Sequence, residues 1–233
     1  MASKMYEGVM TWNPLKGCGF SCTYCVPTFQ RQAKRQKHNC MKCYNFEPHE
    51  HPERLTKIPN AKTVFVCGNG DISFCDDYFL RQIVLATAKK LKTTFYWQSK
   101  NPATLSRVTA TLREFVEPLL CNHIMVTTLE TNRDKDYHLI SKAPPPTDRA
   151  YDFMRLPWHR KIVTIEPIMD FDHNEFMRII LDIKPELVYI GYNSKPGAVK
   201  LPEPTRHQTE LLIYYLEINN VPVKTKFLPW ENQ

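Results

Sequence analysis

The chain has 233 residues, 42% of them hydrophobic and 24% charged, and carries a net charge of +7. That length suits one sizeable core, so a single domain over 1–233 is the economical reading, with the composition of an ordinary soluble globular protein. No apolar run approaches the roughly 20 residues a membrane span needs, and the N-terminus has neither an apolar signal core nor an Arg-rich amphipathic stretch, so a cytoplasmic location without membrane contact is expected.

The first predicted element in chain order is a strand in "YEGVMTWNP" (6–14). The loop behind it, "GCGFSCTYC", places Cys18, Cys22 and Cys25 within eight residues. Eight cysteines without a secretion signal argue for metal or redox chemistry over structural disulfides, and five of the eight fall between positions 18 and 43. Cys67, Cys75 and Cys121 are scattered in apolar surroundings and read as packing residues. Structural zinc takes four ligands, and ferredoxin runs employ four cysteines. Here no fourth cysteine follows before Cys40. Three thiolates on a four-iron cube would leave one iron open to a small molecule.

An insertion at about 26–60 follows. It starts with the most basic stretch of the chain, "RQAKRQKH" (31–38), which reads either as a solvated helix face or as contact with a polyanion. It continues through "HNCMKCYNFEPHEHPERL", where Cys40, Cys43, His49 and His51 make a complete zinc ligand set by residue type. Pro48 and Pro52 bar a helix through the two histidines. A compact zinc loop, a turn with a reduced cysteine pair, and participation in iron–sulfur chemistry stand as alternatives.

From residue 60 onward, strand runs rich in Val, Ile, Thr and Tyr alternate with helix-length segments. The strands are "TVFVCGNGD" (63–71), "TTFYWQSKNP" (93–102), "HIMVTTLETN" (123–132), "KIVTIEPIMD" (161–170), "LVYIGYNS" (187–194) and "PVKTKFL" (222–228). The helices are "DDYFLRQIVLATAKKLK" (76–92), "PATLSRVTATLREFV" (102–116), "TDRAYDFMRL" (147–156), "HNEFMRIILDI" (173–183) and "EPTRHQTELLIYYLEIN" (203–219). The proline-rich "SKAPPPTDR" (141–149) reads as a stiff connector. Repeated βα units form an α/β fold, here a partial (β/α) barrel of about six to seven parallel strands with helices outside; the chain is short of the roughly 250 residues of a full eightfold barrel. Polar residues gather at successive strand ends: Gly68–Asp71, Gln98–Asn101, Glu130–Asn132, Glu166 and Gly191–Lys195. In a parallel β/α architecture that end is where sites are built. Trp97, Trp158 and Tyr192 could stack a base at its mouth, though packing is the plainer role for each.

The spacing Cys18-x3-Cys22-x2-Cys25, with aromatic Tyr24 before the last cysteine, resembles the signature of the radical S-adenosylmethionine (SAM) superfamily. The blocks "TWNPLKGC", "FEPHEHPERL", "VFVCGNGDISF", "QSKNPATL", "IEPIMD" and "VPVKTKF", in that order over nearly the whole chain, look like the phage Gp37/Gp68-type radical SAM-like family. The resemblance implies that Cys18, Cys22 and Cys25 ligate a [4Fe-4S] cluster whose open iron takes SAM. It implies cofactor contacts from Tyr24, from the turn Gly68, Asn69, Gly70 and Asp71, which lacks the common Gly-Gly-Glu wording, and from Glu130, Asn132 and Glu166 at later strand ends; the alternative for Glu130 and Glu166 is to cap helices or pair with Lys100 or Lys195. A reductase or other electron donor is the implied partner. The family supplies no substrate; the positive charge and the phage-type kinship favour a nucleobase or nucleic acid. Two other readings compete: a metal-stabilised nucleic-acid-binding protein without SAM chemistry, and a cluster acting only as electron carrier or sensor.

Overall fold

Seven β-rich runs line up as one parallel sheet in the computed structural model, which describes residues 8–114 and 122–230. Positions 6–7 of the first expected strand, 115–116 of the second barrel helix, and Cys121 lie outside the described residues. The sheet strands are β1 (Met10–Trp12), β4 (Thr63–Val66), β5 (Thr94–Gln98), β6 (His123–Thr128), β7 (Lys161–Ile165), β8 (Leu187–Gly191) and β9 (Val223–Lys226), side by side in chain order. Between the first two, β2 (Leu15–Lys16) and β3 (His49–Glu50) pair antiparallel, Lys16 opposite His49.

Two short helices, α1 (Arg31–Ala33) and α2 (Met41–Asn45), lie in the insertion. The barrel helices are α3 (Asp77–Ala88), α4 (Pro102–Leu112), α5 (Pro146–Arg155), α6 (His173–Ile183) and α7 (Arg206–Ile218). Their starts are set by sequence. Asp76 accepts from the Phe79 N–H at 2.8 Å at the head of α3, and Thr205 with Gln208 forms a capping box at α7. Pro102 and Pro146 occupy first turns, where a missing N–H costs nothing. In α6, Phe176, Ile180 and Ile183 are buried at helical spacing.

Strand alternation divides the interior in two. Val64, Val66, Phe95, Trp97, Met125, Val163, Ile165, Val188 and Ile190 face the helices and form the main core. Ile124, Val126, Ile162 and Tyr189, with Phe65 and Tyr96 against them, fill the opposite face. That inner packing ends toward the C-terminal edges of the strands, and a cavity begins there. Cys67 and Cys75 are buried in the main core, as are Trp97 and Trp158, whose ring N–H groups donate to His123. The packing role read for these residues is the one the fold gives them. Among the described residues no helix is long and apolar enough to cross a membrane.

Candidate functional site

A cavity of about 810 Å³ lies over the C-terminal strand ends. Cys18, Cys22, Cys25 and Tyr24 line one wall, Gly68–Asp71 and Lys100 another, and Glu166, Tyr192, Lys195 and Lys226 the far side. Its volume is in the range of ligand-binding clefts.

The cysteine loop is held from two directions. On one side Gly17 N donates to Asn69 O at 3.0 Å and Asp71 N donates back to Gly17 O at 3.3 Å. Gly17 has φ +85°, and a Cβ built on Gly70 would lie 2.7 Å from Gly17 O, so both positions need glycine for the backbones to meet. On the other side Thr23 N donates to Ile140 O at 2.9 Å and Lys142 N to Phe20 O at 2.7 Å, tying the loop to the start of the proline-rich connector.

The Sγ of Cys22 lies 3.1 Å from Ser141 Oγ and 3.4 Å from Lys100 Nζ. A hydrogen bond from Cys25 and the Lys100 ammonium outweigh burial and bring the Cys22 pKa down to about 5. Cys25, which donates that hydrogen bond, is pushed up, and burial pushes Cys18 up as well. The Lys100 ammonium beside Cys22 Sγ is the kind of neighbour that favours a thiolate there.

Beneath them sits a buried ion cluster. Glu130 is 0% exposed, and its carboxylate accepts from Lys100 Nζ at 2.5 Å, Tyr24 OH at 2.5 Å, Tyr137 OH at 3.0 Å and Arg149 Nη2 at 2.8 Å. Burial alone would raise its pKa; Arg149 and Lys100 reverse that and hold it at about 2. Burial opposes the charge on Lys100 too, but Glu130 and Cys22 keep it protonated, with Nζ 4.5 Å from the Tyr24 ring centroid. Asp71 also turns inward: Ser73 N and Oγ, Ser99 Oγ and Lys100 N all donate to it. Its carboxylate therefore fixes the β5 end that carries Lys100.

The other predicted carboxylate-end residues divide. Glu166 lines the cavity, accepts from Lys226 Nζ at 2.7 Å, and leaves its buried Oε2 without a partner. Gly191 is required beside it, because a Cβ there would stand 2.7 Å from Lys226 O. Asn132 lies off the cavity lining; it accepts from Asp172 N at 2.9 Å and donates to Glu175 Oε2 at 3.0 Å, tying the β6 end to the head of α6.

Lys100, Ser141, Tyr137 and Arg149 were not singled out as site residues by sequence reasoning. Lys100 carried a weak signal as part of a polar strand end. Arg149 carried none, since an arginine in an amphipathic helix ordinarily faces water.

The second cysteine pair forms a separate centre on the flank of the cysteine loop. Cys40, Cys43, His49 and His51 bring one ligand atom each to within 4.8 Å of one another. The basic run after Cys25 folds as short helical turns over 23–36, most of residues 31–38 are exposed, and Arg31 and Gln32 reach the cavity rim.

No sequence-family model matches this chain, and no curated protein matches it in sequence. Solved structures do. SuiB of Streptococcus suis, bound to the precursor peptide SuiA, matches over 95% of this chain and 49% of its own at 11% identity, with a TM-score of 0.55. Spore photoproduct lyase complexed with dinucleoside spore photoproduct matches over 89% of this chain and 60% of its own at 8% identity, TM-score 0.48. A mutant of that lyase with bound AdoMet and the same dinucleoside matches over 90% and 60% at 8% identity, TM-score 0.48. The chain thus spans about half the length of SuiB. At such identity the likeness to SuiB is one of fold alone, that of a seven-stranded parallel partial (β/α) barrel.

Proposed function

We propose that this chain is a radical SAM enzyme of the phage Gp37/Gp68 type, with Cys18, Cys22 and Cys25 as ligands of a [4Fe-4S] cluster. The observation that carries the reading is the wall of three thiols facing an 810 Å³ cavity at the C-terminal end of a parallel partial barrel. The donor set fits such a cluster: three free cysteines share one loop, and Lys100 and Ser141 lie within hydrogen-bonding reach of Cys22 Sγ. When bound, the cluster supplies an electron for cleavage of SAM to methionine and a 5′-deoxyadenosyl radical, which abstracts hydrogen from the substrate.

The chain's own residues then have separate tasks. Lys100, locked by Glu130 and Asp71, keeps a positive charge beside Cys22. Backbone groups of Gly68, Asn69 and Gly70 border the cavity and offer close approach to the SAM amino group. Glu166, on the cavity lining beside Lys226, is the carboxylate we assign to the ribose hydroxyls. Glu130 and Asn132 have their polar atoms engaged within the protein, so their part is to position Lys100, Tyr24 and the head of α6. Tyr24 supports the loop through its bond to Glu130 and presents its ring to the cavity.

A nucleobase or nucleic acid is the substrate class we favour, supported by the +7 charge and by Arg31 and Lys195 at the cavity rim. An electron donor such as a reductase completes the system. The exposed 31–38 run supports a second reading, a metal-stabilised nucleic-acid-binding protein without SAM chemistry.

Anaerobic reconstitution with iron and sulfide, followed by electron paramagnetic resonance with and without SAM and by assay for 5′-deoxyadenosine, separates the two. The enzyme reading expects a SAM-sensitive cluster signal and 5′-deoxyadenosine, both abolished in Cys22→Ala. A cluster indifferent to SAM, or SAM cleavage that survives Cys22→Ala, sinks it.

A further inference from the structure

We infer that Cys40, Cys43, His49 and His51 hold a Zn²⁺ ion, and that this ion fixes the chain segment from which Cys18 projects. Zinc occupancy stands independently of the radical SAM reading; the consequence for Cys18 as a cluster ligand rests on it.

The four ligand atoms lie within 4.8 Å of one another, and three of their six separations match the edges of a tetrahedral site. Cys43 Sγ is 3.2 Å from His49 Nε2 and 3.3 Å from His51 Nε2, and Cys40 Sγ is 3.4 Å from His49 Nε2. A tetrahedral zinc with bonds of about 2.3 Å to sulfur and about 2.0–2.1 Å to nitrogen separates S and N by about 3.5 Å. The agreement is close for groups with no covalent reason to converge. A multi-iron core would spread its ligands over separate metals, so the tight grouping selects a single ion. Two thiols and two imidazoles select zinc over magnesium or calcium, which take oxygen.

Both imidazoles are aimed. His49 Nδ1 lies 2.7 Å from Glu47 O, and His51 Nδ1 lies 2.9 Å from Glu53 Oε1. Each ring is thereby held as the tautomer with a proton on Nδ1 and a lone pair on Nε2 facing the thiols, the outer arrangement usual for metal-bound histidine. The cysteine turn is also shaped for metal: Cys40 Sγ accepts from Cys43 N at 3.4 Å, and Phe46, at φ +61°, closes the turn in the left-handed region.

The centre is joined to the cysteine loop by backbone, strand against strand. Cys18 N donates to Phe46 O at 3.2 Å, and His51 N to Pro14 O at 2.6 Å, with Lys16 and His49 paired between them. A Cβ on Gly17 would fall 2.0 Å from Glu47 O, so the two segments leave no space for a side chain. Residues 14–18 are thus clamped between the Gly68–Asp71 turn and the 46–51 segment. The insertion has little apolar core of its own: in α2 only Cys43 is buried. The metal supplies the rigidity that packing does not.

The test uses the full chain purified without added iron. Metal analysis should find one zinc per chain in the wild type and in Cys22→Ala, and less than a tenth of that in Cys43→Ser and His51→Ala. Wild-type protein that holds no zinc after incubation with Zn²⁺, or Cys43→Ser that retains it, overturns the site. Amide hydrogen exchange reads the clamp. Chelation of zinc from the wild type should speed exchange at Cys18 and His51 at least tenfold, leave β5 and β6 unchanged, and be reversed by Zn²⁺. Unchanged exchange at Cys18 overturns the positioning role. Iron content after reconstitution is read separately: zinc bound and the clamp responsive, but no iron on Cys18, Cys22 and Cys25, would defeat the cluster reading and leave the zinc site standing.

Discussion

Replacing Glu130 by Gln tests the ion cluster beneath the cysteine loop. Glu130 and Arg149 are both 0% exposed, and the Glu130 carboxylate accepts four hydrogen bonds, two of them from cations. Glutamine keeps the shape but removes the charge, and its amide nitrogen cannot accept. Lys100, with a side chain 13% exposed, can turn toward the cavity for water, whereas Arg149 cannot. Breaking one side of a buried pair typically costs about 3–5 kcal/mol. Arg149 keeps its bond to the Thr128 carbonyl, so the lower end, about 3 kcal/mol, is expected. For a domain of this size that corresponds to a drop in Tm of roughly 6–12 °C. Thermal or urea unfolding of the metal-free protein, followed by circular dichroism, measures it. The double variant Glu130→Gln/Arg149→Met should be less destabilised than the sum of the singles by about 2 kcal/mol, since it leaves no orphaned charge. A Glu130→Gln protein within 1 kcal/mol of wild type, or strict additivity in the double variant, would refute the reasoning.

His123 should make stability pH-dependent. It is buried between strands, accepts from Trp97 Nε1 at 2.9 Å, and burial lowers its pKa from 6.5 to about 4. The unfolded chain takes up the proton first, so this contribution is fully present above pH 6.5 and is lost as pH falls toward 4. Between pH 7.5 and 5 the loss should be about 2 kcal/mol, and His123→Gln should remove that part of the pH dependence in denaturant unfolding. Asn132→Ala, which cuts the tie to Asp172 and Glu175, should cost about 1–2 kcal/mol of stability while SAM affinity, by equilibrium dialysis of the reconstituted protein, changes less than threefold. Gly191→Ala forces a Cβ to within 2.7 Å of a backbone oxygen and to 3.3 Å of Glu166, so it should cost about 1–3 kcal/mol and weaken SAM binding together with stability.

What was legible in the sequence was whatever depends on local periodicity and spacing. Alternating β-rich and helical runs gave seven parallel strands, because period and crossover length are properties of short segments. Cysteine spacing separated Cys18, Cys22 and Cys25 from Cys40 and Cys43, and residue type alone assembled the Cys/His set that the structure brings within 4.8 Å. The polar strand ends lie where the cavity opens, and Gly68–Asp71 and Glu166 line it there. Which side chains meet across the sheet was legible only as alternatives: Glu130 and Glu166 could each cap a helix or pair with Lys100 or Lys195, and Glu130 does pair with Lys100. Glu130 and Glu166 looked alike as carboxylates at neighbouring strand ends. Only the tertiary structure gives Glu130 four donors, including Arg149 from a helix 19 residues away, and leaves Glu166 on the cavity lining with one cation and a buried oxygen without a partner. Likewise, nothing local says that Phe46 accepts from Cys18 across the β2–β3 pairing. The sequence by itself determined the barrel, the polar strand ends that border its cavity and the grouping of the cysteines, since each is encoded in short-range pattern. The tertiary structure decided which charges are paired within the protein and which border the cavity, because a buried charge takes its role from whichever partners the fold brings beside it.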